Sequence, residues 1–77
     1  MKIFDVILRS VVDVKDFVAL ASVQPFDLTV GDDCHRVNAK SFMQIFCLDL
    51  SSTQQVQMYC TEEEFHRFYT AAERFRS

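Results

Sequence analysis

A chain of 77 residues, 49% apolar and 25% charged, has the composition of one small globular domain with a single core and lies well outside the range of disordered chains. A formal charge of −3 and a pI near 5.1, with eight Lys and Arg scattered along the chain, exclude the basic stripe that direct nucleic-acid binding needs.

Lys2 to Leu8 is an apolar, β-branched run with Phe4, Val6 and Leu8 on one face, which predicts a first strand. Ser10-Val11-Val12-Asp13 then has the Ser-x-x-acid form of a capping box. Val11, Val14, Val18 and Ala21, with Phe17 beside them, recur at helical spacing and predict a helix over 11–22. Gln24-Pro25 stops it, because proline lacks a donor and clashes with the preceding turn. Phe26, Leu28 and Val30 alternate with Asp27 and Thr29 as a second strand, Gly31-Asp32-Asp33 is turn chemistry, and Cys34 to Asn38 returns as a short antiparallel strand.

Ser41, with Gln44 three residues on, reads as a second capping box at the head of a short apolar helix running to about Cys47. Leu48 to Thr53 reads as a loop, and Gln55 to Cys60 alternates without a break, placing Val56, Met58 and Cys60 on one face of a fourth strand. Thr61-Glu62-Glu63-Glu64 is a third capping box, with acids in the first turn where they complement the helix dipole. Phe65, Phe68, Tyr69, Ala72 and Phe75 form the stripe of a last helix ending near Arg74 and Arg76.

The order β-α-β-β-α-β-α with short connections predicts an α+β fold: one four-stranded antiparallel sheet covered on a single face by three helices, in one domain spanning 1–77. The sole glycine lies in the hairpin turn, so there is no Gly-rich phosphate loop. Cys34, Cys47 and Cys60 fit neither a disulfide framework nor a Cys-x-x-Cys motif and are expected as small core hydrophobes in a reducing cytoplasm. No apolar run reaches membrane-spanning length and the first residues are too polar for a signal peptide, which predicts a cytoplasmic protein without membrane contact.

The residues that could carry chemistry are few. Ser10 has no base near it in sequence and is expected to cap rather than to attack. His35 and His66 are far apart and have no second ligand at metal spacing, so neither a metal site nor a cofactor is expected. At Ser41 a phosphate would meet unpaired backbone N–H groups at a helix start, although a plain N-cap accounts for the same serine. A helix one or two turns long cannot bury Phe42, Met43 and Phe46 together, so part of that cluster is expected outside, as a contact surface.

The element order, together with Val37-Asn38-Ala39-Lys40-Ser41-Phe42-Met43-Gln44-Ile45-Phe46 and with Phe17-Val18-Ala19-Leu20-Ala21 upstream, resembles HPr, the small phosphocarrier of the bacterial phosphoenolpyruvate-dependent sugar phosphotransferase system. The similarity spans essentially the whole chain and implies an HPr-like open-faced sandwich. In that family the phosphoryl group rides on a histidine at the start of the first helix, within a His-Ala-Arg-Pro run. The resemblance puts Ser10 at the histidine position, Val12 at the arginine and Asp13 at the proline, which implies that phosphotransfer through this position is lost and that the chain is not an enzyme.

The family's second site is a regulatory serine at the start of the second helix, phosphorylated by a dedicated kinase. It corresponds to Ser41, with Lys40, Phe42, Met43 and Phe46 at the positions of an exposed docking patch. The resemblance therefore implies a regulatory or adaptor protein whose partner is a serine kinase or a regulatory protein of carbon metabolism. Gln44 departs from a family glycine in this helix. Two alternatives remain: residual phosphotransfer on a surrogate such as His35 or His66, and a small structural protein that self-associates through the same apolar cluster.

Overall fold

The computed structural model describes residues 1–77. Its elements are β1 (Lys2–Val6), α1 (Val11–Ser22), β2 (Leu28–Gly31), β3 (Arg36–Asn38), α2 (Phe42–Ile45), β4 (Gln54–Met58) and α3 (Glu62–Ala71), followed by a 3-10 turn over Glu73–Phe75. The strands form one antiparallel sheet in the order β1-β4-β2-β3. β4 enters last and lies between β1 and β2, pairing Val56 with Phe4 on one side and with Val30 on the other. No helix is long and apolar enough to cross a membrane.

Alternation along the strands assigns the two faces. Val6, Leu28, Val30, Val37, Val56 and Met58 are buried beneath the helices, where Val14, Phe17, Ala21, Ile45 and Phe68 meet them. Phe17 lies edge-on to Phe68 at 6.2 Å and to Phe75 at 5.7 Å, and Phe26 edge-on to Phe68 at 6.4 Å, the geometry that ring quadrupoles favour. Each fully buried phenylalanine contributes about 1.5–3 kcal/mol, so this cluster is a large share of what holds so small a domain together.

Several elements are shorter than their sequence pattern. β1 stops at Val6 because the Ile7 N–H donates to the Phe75 carbonyl at 2.7 Å and the Ser77 N–H to the Asp5 carbonyl at 3.1 Å. The C-terminal residues thus line the outer edge of β1, and Leu8 remains in the core without strand pairing. β3 begins at Arg36, not Cys34, because the Cys34 and His35 N–H groups both donate to Asp32 Oδ1, at 2.9 and 2.8 Å. β4 runs one step earlier than expected, opening at buried Gln54, and closes before Tyr59, whose N–H turns to the Asp27 carbonyl. The last helix breaks after Ala71 into the 3-10 turn that seats Phe75 in the core.

Burial corrects two readings of the side chains. Val11, expected on the inner stripe of α1, is 60% exposed, and the buried stripe is Val14, Phe17 and Ala21. Cys34 and Cys47 are exposed and Cys60 is only half-buried, so none of the three is a core residue. Cys34 sits in the hairpin loop and Cys47 just past α2, both beyond the reach of the sheet's inner face.

Candidate functional site

Two helix starts were singled out by the sequence, and they differ in what surrounds them. At the first, Ser10 Oγ accepts from the Asp13 N–H at 3.1 Å, as a capping serine does, and the hydroxyl has no base as a hydrogen-bond partner. Asp13 fills the rest of the site. Its Oδ2 accepts from the Arg9 N–H at 3.0 Å and its Oδ1 from Arg74 Nη2 at 2.6 Å. The Arg74 guanidinium, then the Arg9 N–H, hold the Asp13 carboxyl below the usual carboxylate range, and Asp13 with Asp16 raises the pKa of Arg74 in return.

An anion arriving at the α1 start therefore meets a carboxylate that already holds the Arg9 N–H and the Arg74 guanidinium. Neither histidine stands there. His35 is exposed in the β2–β3 loop, and His66 lies on α3 with Nε2 3.5 Å from Glu62 Oε1.

At the second start Ser41 is half-buried and reachable from solvent. Its Oγ accepts from the Gln44 N–H at 3.3 Å, and its own N–H donates to the Asn38 carbonyl at 3.0 Å. The capping box expected here is half made, because Gln44 Oε1 accepts from the Asn38 N–H at 3.0 Å and not from Ser41. α2 is a single turn of four residues, too short to develop a full helix dipole. The Phe42 and Met43 N–H groups have no acceptor within the protein.

The neighbours of Ser41 divide by depth. Ile45 is fully buried and fixes the turn on the core, and Phe42 is half-buried against it. Met43 is 75% and Phe46 41% exposed, and the Phe46 ring stands edge-on to Phe42 at 4.8 Å. Lys40 is half-buried, with Nζ donating to the Gln24 carbonyl at 2.9 Å just beyond α1. Its ammonium ties this segment to the end of α1, a link across sixteen residues that no local pattern announces. Sequence spacing places Arg74 only as a charge at the end of the last helix, and its pairing with Asp13 and Asp16 on α1 has no local signal.

No protein-family model and no curated protein matches the chain. Among solved structures, the crystal structure of HPr-C-His from Thermoanaerobacter tengcongensis superposes with a TM-score of 0.76 at 25% sequence identity, covering 94% of this chain and 90% of that one. The expected HPr-like sandwich, with its three helices on one face of a four-stranded antiparallel sheet, is the fold of this chain.

Proposed function

We propose that this chain is an HPr-like regulatory or adaptor protein of the cytoplasm that lacks the carrier histidine and binds a protein partner through the segment after Ser41. The observation that carries the reading is the exposure of Met43 and Phe46 on a turn pinned from beneath by Ile45. Apolar side chains held out on a rigid turn contribute binding energy at small entropic cost, since the backbone beneath them is already ordered. Lys40 holds the turn in place through Gln24 and contributes at its margin.

Ser41 is the switch in this reading. A phosphate on its oxygen displaces the Gln44 N–H bond, gains the unpaired Phe42 and Met43 N–H groups, and sets a double negative charge beside the apolar patch. The partner is a serine kinase or a regulatory protein of carbon metabolism, and Ser10 takes no part in phosphate chemistry. The surrogate histidines gain no support from geometry: the His35 ring has no hydrogen-bond partner, and the His66 ring meets only Phe65 and an exposed Glu62.

The test is incubation with an HPr serine kinase and ATP, followed by phosphate mapping. Phosphate at Ser41, abolished in Ser41→Ala, is the expected result; a chain left unmodified sinks the switch. Calorimetric titration with the kinase reads the patch, and Phe46→Ala is expected to weaken binding about tenfold with melting nearly unchanged. Acid-labile phosphate acquired from phosphoenolpyruvate and the system's first enzyme would overturn the assignment of Ser10.

A further inference from the structure

The bare face of the sheet, opposite the helices, gathers carboxylates that have no cationic partner. Every acidic side chain paired with a cation lies on a helical element: Asp13 and Asp16 with Arg74, Glu62 with Lys2, Glu63 with Arg67, and Glu73 with Arg76. Asp5 on β1, Asp27 at the entry to β2, and Asp32 and Asp33 in the hairpin have no cation, and all four are exposed. Three of them, with Gly31, Thr53 and Gln55, line a shallow recess of about 300 Å³. Arg36, also on this face, lies across the strands with Nε 3.2 Å from Thr29 Oγ1 and Nη2 2.7 Å from the Gln55 carbonyl, and it is paired with none of these carboxylates.

The same face carries an apolar corner. Ile3, facing Gln57 across the β1–β4 pair, is 51% exposed, and Met1 and Tyr59, which flank the Lys2–Met58 pair, are also well exposed. We infer that the bare sheet face docks a basic segment of a partner protein, its Lys or Arg side chains on Asp5, Asp32 and Asp33 and an aliphatic residue on Ile3. The carboxylates repel nucleic acid and anionic membrane alike. A free metal ion or polyamine would satisfy the carboxylates and leave Ile3, Met1 and Tyr59 in water, whereas a polypeptide covers both. The surface is separate from the Ser41 segment, so both can be occupied together.

The experiment is an amide chemical-shift titration of the whole protein with a capped Lys- and Arg-rich heptapeptide bearing a central leucine. Saturable shifts confined to β1, β4 and the β2–β3 loop are expected, with binding weakened about five- to tenfold in Asp5→Asn/Asp33→Asn and about threefold in Ile3→Ser. These exposed positions leave the fold intact, which the unshifted core amides verify in the same spectra. Shifts spread equally over Glu63 and Glu73, or an affinity indifferent to the Asp5→Asn/Asp33→Asn change, overturn the proposal. Spermine or magnesium reproducing the same shifts at the same strength overturns it too, in favour of a simple cation site.

Discussion

Arg74 joins the two ends of the helical layer by gripping Asp13, with Nη2 2.6 Å from Asp13 Oδ1 while Nη1 lies 2.9 Å from Asp16 Oδ2. One planar guanidinium from the 3-10 turn therefore spans two carboxylates on successive levels of α1, a fork geometry that lysine cannot reproduce. Its plane also rests over the Phe75 ring, 4.6 Å from the centroid, so the ring buried in the core and the ion pair outside it fix the same turn. The consequence for function is local: the start of α1 is neutralised from within.

That pair makes stability depend on pH in a defined direction. A carboxyl held below its ordinary value contributes stability above the unfolded value, near 3.9, and loses it as pH falls through the folded one. Asp13→Asn is expected to melt below the parent protein at pH 7, and the gap should close as pH drops below about 4. Thermal melts from pH 7 to pH 2.5 check this; a gap of constant size across that range excludes the ion pair as its source.

Gly31 is the position least tolerant of a side chain. Its φ of +148° is rarely adopted by L residues, and a Cβ there would lie 2.1 Å from the His35 carbonyl oxygen. Gly31→Ala should cost about 2–3 kcal/mol, or roughly 10–20 °C in melting temperature for a domain of this size. A melting temperature within about 2 °C of the parent would show that the hairpin yields instead.

Core and patch should separate cleanly in denaturation. Phe17→Ala removes a fully buried ring and is expected to cost about 3–5 kcal/mol, which approaches the whole stability of about 4–11 kcal/mol for a chain of this length. Met43→Ala, at an exposed site, should change stability by less than about 0.5 kcal/mol. Urea unfolding of the two variants decides the matter, and a large loss in Met43→Ala would mean that the patch is structural.

Thiol reactivity ranks the cysteines. Cys34 and Cys47 are exposed, whereas burial first, and the Glu64 charge second, push the Cys60 thiol up from its ordinary value. Alkylation with iodoacetamide at pH 8, followed by peptide mapping, should label Cys34 and Cys47 several-fold faster than Cys60. Equal rates at all three would contradict the half-buried position of Cys60.

Much of the local geometry at the candidate site was readable in advance because its cues are local. Ser10, Ser41 and Thr61 each cap the helix that their spacing announced, and Met43 and Phe46 are outside because a short helix has one inner face. What escaped was whatever depended on a distant partner: Lys40 on the Gln24 carbonyl, Gln44 on Asn38, Arg74 on α1.

Taken alone, the chain of residues determined the kinds of element, their order and the inward faces of the strands, since hydrophobic period and capping act over a few neighbouring positions. The placement of β4 between β1 and β2, the loss of Leu8 and Cys60 from their strands, and the gathering of Asp5, Asp32 and Asp33 on one bare face came only with tertiary structure. Antiparallel partners and ion pairs join positions tens of residues apart, and which of them meet is settled by how the whole sheet packs beneath its helices.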